Sequence, residues 1–180
     1  SQRVGARKLA LKETPMQEAT KFMDENHLMG SARCATALGL YDGESLLMMV
    51  TYRRHKDGVD LVRVATKMGY VVQGGLSRIL SHIVKHTKPR FVQSFVDLRY
   101  ASGTSLETLG FKKVSVTLGW QWTDSHNTYN RLACTANMDD RKLSEREYAE
   151  ELGWVKLYDA GQAKYLLMLD VPQPVAKPKV

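Results

Sequence analysis

The chain is poor in cysteine: Cys34 and Cys134 are the only two in 180 residues. They form no C-x-x-C pair and have no histidine at ligand spacing, which argues against a disulfide framework and a zinc site. They read as buried thiols in a reducing compartment. Long hydrophobic runs are also missing. No stretch reaches the roughly 18 apolar residues of a membrane span, and residues 1–12 lack the apolar core of an export signal. A cytoplasmic location is expected. Repeats and low-complexity segments are absent, apart from the tail PQPVAKPKV, which holds three of the five prolines. Residues 171–180 are therefore expected to be disordered, leaving 1–170 as a single domain. The eight methionines fall among other apolar residues and read as adaptable core filler.

What the sequence does have is positive charge, unevenly placed. Residues 1–90 carry 15 Lys/Arg against 8 Asp/Glu, and residues 91–180 carry 11 of each, so the whole +7 excess sits in the first half. A basic sector including Arg3, Arg7, Lys8, Lys12, Arg33, Arg53, Arg54, Lys56, Lys67, Arg78, Lys85, Lys88 and Arg90 would attract phosphates by counterion release. A solvated, moderately basic surface is the plain alternative.

Periodicity supplies the elements. Met16, Ala19, Phe22 and Met23 have helical spacing behind Thr14 as N-cap and Pro15 at the first helical position. Two apolar runs flank Asp42-Gly43, a hairpin signal, and 59–65 alternates as a third, antiparallel strand. From Gly74 the spacing of Leu76, Ile79, Leu80 and Ile83 predicts a helix ending before Lys88-Pro89. A strand over 90–96, a short helix over 102–109 closed by Gly110, and an extended segment over 114–122 follow. A capping box at Ser144 and Glu147 opens a helix to Leu152, and strands are expected over 154–158 and 164–169. The order predicts an α/β fold, a mixed sheet with helices on both faces, in which the strands at 59–66 and 91–97 are parallel.

Gly74-Gly75, between strand and helix, could offer backbone N–H groups to phosphate oxygens, or simply make a tight turn. His82 and His86 are four residues apart on a helix but lack a third metal ligand, and His126-Asn127 lacks the rest of an H-N-H nuclease pattern. Trp120, Trp122, Tyr129 and Arg131 could stack on a base or pack in a core.

The run FVDLRYASGTSLETLGF, residues 95–111, resembles the end of the Gcn5-related N-acyltransferase (GNAT) motif, in which a helix runs into Leu-Gly-Phe beside acyl-CoA. VVQGGLSRIL then corresponds to that family's phosphate-binding loop, with Val71 and Leu76 in place of its polar and final small residues. The segments GARK, NHLMG, LGLYDGESLLMMVTY, LVRVA, VVQGGLSRIL, VDLRYASG, LGF and YDAG resemble a domain at the C-terminus of phage homing-endonuclease-like proteins. They are similar, more distantly, to phage Mu-type Mom proteins, which are GNAT-related enzymes that modify adenine in DNA.

The resemblance implies acyl-CoA as cofactor, no metal, and DNA as partner, in a host cytoplasm. It implies cofactor contacts at Val64, Ala65, Gly74, Gly75 and Leu76, and backbone oxyanion donors around Arg63 to Thr66. Asp97 would be a base or orienting group, Tyr100 and Tyr41 acids, and Ser77 a substrate contact or a first-turn residue. Arg63 would meet an acidic ligand or pair with Asp97. Arg7, Lys8, Arg33, Arg53 and Arg54 would face nucleic acid. Two further readings stand beside this one: a non-catalytic DNA-targeting module, and an acyltransferase for a small amine.

Overall fold

A computed structural model describes residues 1–34, 36–129 and 143–169. The expected tail, Arg131 and Cys134 lie outside the described residues. The chain forms two compact units. The first comprises Ser1–Phe95, Ser105–Lys112 and the chain from Tyr165; the second comprises Val96–Thr104 and Lys113–Lys164.

In chain order the elements begin with β1 (Gln2–Gly5), a single 3-10 turn (Ala6–Lys8), β2 (Ala10–Glu13) and α1 (Met16–Asn26). The strands β3 (Thr36–Asp42), β4 (Ser45–Arg54), β5 (Gly58–Thr66) and β6 (Tyr70–Gln73) lead to α2 (Gly75–Thr87) and β7 (Phe91–Asp97). Then come α3 (Thr104–Glu107), β8 (Lys112–Thr117), β9 (Trp120–Thr123), β10 (Thr128–Tyr129), α4 (Glu145–Glu151), β11 (Val155–Tyr158) and β12 (Gln162–Met168). A seven-stranded sheet has the order β2-β3-β4-β5-β7-β12-β8, beside the small sheets β1-β6 and β10-β9-β11. From β2 to β5 the neighbours are antiparallel, and β5 and β7 are parallel, as the crossover through α2 requires.

Alternation along β4 sends Met48 and Met49 to opposite faces. Met49 packs with Ala19, Phe22 and Met23 of α1 and with Tyr41 and Ala65. Met48 and Leu40 instead crowd Gly75 at the start of α2. The two helices therefore cover opposite faces of the sheet. α2 buries Ile79, Leu80 and Ile83, each contributing about 1.5–3 kcal/mol on burial.

Several local expectations shift. Thr14 does not cap α1: its hydroxyl lies 2.9 Å from that of Tyr41, and Pro15 takes the cap position, its carbonyl accepting from Ala19 N–H. The segment read as one strand over 114–122 is two. Gly119 separates β8 from β9, and only glycine fits there because a side chain would strike the Asp159 carboxylate. β1, β2 and β6 form short pairings that no alternation announced. The capping box of α4 is present, with Ser144 Oγ accepting from Glu147 N–H and Ser144 N–H donating to the Glu147 carboxylate.

Candidate active site

β5 is the centre of the first unit. It pairs with β4 along its length but with β7 only over Gly58–Leu61, opposite Phe91–Ser94. At the same place the β4 register slips: Thr51 faces Arg63 and Tyr52 faces Leu61, which leaves Val62 as an extra residue. This is a β-bulge, a device that bends a strand and re-aims its side chains. Among the described residues the ladder to β7 ends at Leu61 and Ser94, short of Val64 and Ala65.

Arg63 sits half-buried at the bulge. Its Nε donates to Gly30 O at 3.3 Å and its Nη1 to Val62 O at 3.0 Å. Directly across the ladder, Thr51 is 2% exposed and its hydroxyl has no hydrogen-bond partner among the described residues. His27, just after α1, is held by the Met29 N–H donating to its Nδ1 at 3.1 Å. Burial and the nearby Arg63 charge push the imidazole below its usual range, so it is neutral at pH 7. Sequence reading passed over His27; only the loop's place beside Arg63 draws attention to it.

The two glycines of the loop have different reasons. Gly74 has φ +72°, a conformation that favours glycine, with open space around it. Gly75 is buried against Met48 and Val72. The helix they open has no side-chain cap and no acidic residue in its first turn, so among the described residues no side chain caps its first N–H groups or answers its positive dipole end. Leu76 is half-buried and Ser77 exposed in that turn. β6, leading into the loop, is paired in parallel with β1, Gly5 opposite Gln73. Arg78 fixes the N-terminal turn by donating to Ala6 O and, at 2.6 Å, to Leu9 O. Arg78 is thereby withdrawn from the expected basic surface, while Arg7 and Lys8 on the turn it anchors are exposed.

In the second unit Asp97 is bound by Arg99. Its Oδ1 accepts from Arg99 N and Nε, both at 3.0 Å, and Oδ2 accepts from Nη2 at 2.6 Å. Arg99 Nη1 also lies 3.6 Å from Asp159, whose Oδ1 accepts from Gly161 N–H at 2.7 Å. The segments VDLRYASG and YDAG, far apart in sequence, thus meet in space. Hydrogen bonds from Arg99 hold the Asp97 carboxyl below the usual range. A guanidinium two residues along the chain holds Asp97, and Arg63 donates to two backbone carbonyls of its own unit. Tyr100 is 55% exposed, with the Arg99 guanidinium 5.2 Å from its ring centre. Tyr41 does not serve as an acid at a surface. It is 3% exposed, donates to Glu18, and has its pKa raised chiefly by burial.

Trp122 is core, 3% exposed, packed on Ala149 and donating from Nε1 to Glu145 at 2.9 Å. Tyr129 stacks on Trp154 at 4.3 Å, and Lys156 covers Trp120 at 4.2 Å, so these rings are already partnered. His82 and His86 stack on each other at 3.9 Å, and among the described residues no group of His, Cys, Asp and Glu could hold a metal. His126 and Asn127 belong to a turn around Asp124, which accepts from both their N–H groups. Arg33, Arg53 and Arg54 are exposed, with Arg53 donating to Arg33 O at 2.8 Å. No described helix is long and apolar enough to cross a membrane.

No family model matches the chain, and no curated protein does. Solved structures do match. The ribosomal-protein-S18-alanine N-acetyltransferase from Escherichia coli superposes with a TM-score of 0.59 at 11% identity, over 91% of this chain and 96% of that one. An acetyltransferase from Bacillus subtilis in complex with CoA gives 0.54 at 13% identity, over 90% and 99%. Spermidine/spermine N-acetyltransferase from Vibrio cholerae, in complex with manganese ions, gives 0.56 at 8% identity, over 91% and 94%. The seven-strand order, the β5 bulge and the parting of β5 from β7 are thus set in a chain that has the fold of the GNAT acetyltransferases.

Proposed function

We propose that this chain is an acyl-CoA-dependent N-acyltransferase whose acceptor is an amine of DNA. The observation that carries the reading is the stretch of β5 beyond the Val62 bulge, past the end of the β7 ladder, with the uncapped start of α2 beside it. Gly75 packs on Met48, which stands opposite Thr66 at the end of β5. The residues fit the cofactor: the N–H groups at Gly75, Leu76 and Ser77 would receive its phosphates. Backbone at Val64 and Ala65 would hold the acyl arm and stabilise the oxyanion. Acyl-CoA supplies the activated acyl group. In the transfer the amine nitrogen forms a bond to the acyl carbon, the carbon–sulfur bond breaks, the nitrogen gives up a proton and the thiolate takes one. Tyr100 is the candidate for the second proton, and Asp97, through Arg99, for orientation. Arg63 offers a guanidinium to an acidic group, and Ser77 a hydroxyl in the first helical turn.

The DNA part is supported by the charge excess of the first half, by the exposed Arg7, Lys8, Arg33, Arg53 and Arg54, and by the resemblance to phage DNA-modifying proteins. The engagement of Asp97 by Arg99 favours, as a second reading, a DNA-targeting module without catalysis.

Calorimetric titration with acetyl-CoA, followed by transfer of a labelled acetyl group to DNA, separates the two. Heat and label are expected. Ser77→Glu, which places a carboxylate where phosphate would bind while suiting the helix dipole, should weaken acetyl-CoA about tenfold or more. An absence of heat, or an affinity that Ser77→Glu leaves unchanged, refutes the cofactor assignment.

A further inference from the structure

At the opposite end of β5 the chain builds a second, cationic feature. The turn between β4 and β5 and the connection from α2 to β7 lie side by side around a surface depression lined by Arg54, His55, Lys56, Asp57, Lys88 and Arg90, among others. Arg90 N–H donates to Asp57 O at 2.8 Å, which clamps the two connections, and His55 N–H donates to Gly58 O at 2.8 Å, which closes the β4–β5 turn. Gly58 permits the close approach, since a side chain there would strike the Phe91 ring. Leu169 N–H donates to Arg90 O at 2.9 Å, fixing the rim from a third segment.

The charges do not cancel. Arg54, Lys56, Lys88 and Arg90 are exposed, and none has a carboxylate partner among the described residues. His55 is spent on Asp60, 2.5 Å away, and Gln93 holds the other Asp60 oxygen. Asp57 is the one acid of the lining. The C-terminal end of α2 adds about half a negative charge, so four permanent cations face roughly one and a half negative charges. Arg53, next along β4, and Arg33, whose carbonyl it binds, extend the basic strip.

We propose that this depression docks the phosphate backbone of DNA. The inference rests on the DNA part of the reading above. β5 is nine residues long, which sets the depression about 26 Å from the glycine-loop end of the strand at ~3.3 Å per residue. At ~3.4 Å per base pair, phosphates held there belong to nucleotides about eight pairs from a base at the loop end. The site grips flanking backbone rather than the reacting base, and carries affinity without sequence choice.

The test is fluorescence-anisotropy binding of a labelled duplex of about 16 base pairs across a salt series. Wild type is compared with Arg54→Gln/Arg90→Gln, Lys56→Gln/Lys88→Gln and the charge-matched control Lys112→Gln/Lys113→Gln. Each depression pair should lower the slope of log affinity against log salt by about 1.8, two contacts at ~0.9 each, and the control by less than half of that. An equal loss in the control shows a diffuse field and overturns the docking site, as do unchanged slopes in both depression pairs. So does loss of inorganic pyrophosphate binding with DNA binding intact, which marks a small-anion site. Acetyl-CoA titration of the same proteins separates the two claims. Retained heat without any DNA binding removes the docking and leaves the cofactor assignment; no heat with the slope losses present does the reverse.

Discussion

Thr51 offers the most direct measurement of how the bulge is built. Its hydroxyl is buried in β4, opposite Arg63, with no partner among the described residues. A buried hydroxyl left unsatisfied costs about 1–3 kcal/mol. Thr51→Val keeps the branched β-carbon, and with it the strand preference, while replacing the hydroxyl by a methyl. The variant should therefore be more stable by about 1–3 kcal/mol. At ~2–4 °C per kcal/mol for a chain of this length, the melting temperature should rise by about 2–12 °C in differential scanning calorimetry. Urea denaturation should show a higher midpoint at unchanged slope. A loss of 1 kcal/mol or more would mean that the hydroxyl is bonded in the folded protein and that the bulge is satisfied differently. Acetyl-CoA affinity in the same variant adds a second reading: weaker binding together with higher stability would show that the hydroxyl is held in reserve for a ligand.

Two other predictions test local causes. Gly43 and Gly161 both have positive φ, +57° and +79°, but space is open at Gly43 while a side chain at Gly161 would run into Thr117 O. Gly43→Ala should cost about 1–2 kcal/mol, the left-handed penalty alone, and Gly161→Ala clearly more in the same denaturation assay; equal costs would refute the steric reading. The Asp97 carboxyl is held below its usual range by Arg99, so its contribution to stability is complete above the unfolded value of about 3.9 and is lost as pH falls through the lower folded value. Asp97→Asn should reduce stability at neutral pH and flatten the wild-type decline below about pH 4, and parallel stability curves down to pH 2 would show that the pair contributes nothing.

The sheet centre was legible because its signals are local: alternation in β4 and β5, the Asp42-Gly43 turn, and the 3.6 spacing of Ile79, Leu80 and Ile83. The capping box at Ser144 was legible for the same reason. The site was less so. The bulge at Val62 exists only as a mismatch of register between two strands, which no single-strand pattern contains. β1 and β6 are four residues each, too short for periodicity, and find each other across the whole β2–β5 meander. Asp97 is held by Arg99, two residues along the chain, a local closure that neither periodicity nor a count of charges announces. Arg78 shows the converse, a cation that composition assigns to the surface and that the fold spends on two carbonyls.

The proton inventory bears on which amine the proposed transfer would suit. Asp97 is held as a carboxylate of lowered pKa, a poor base at neutral pH. His27 is neutral, but Met29 N–H donates to its Nδ1, which leaves the ring proton on Nε2, so the free nitrogen donates rather than accepts. An alkylamine arrives as an ammonium and must lose a proton before it can attack, which calls for a base that neither group supplies. The exocyclic amine of a nucleobase arrives uncharged. Its lone pair is delocalised and weakly nucleophilic, so the demand moves from deprotonation to stabilising the oxyanion and placing the base, tasks that fall to strand backbone and to anchoring of the DNA. In the proposed transfer, the β5 strand beyond the bulge and the cations at its far end would serve that second demand.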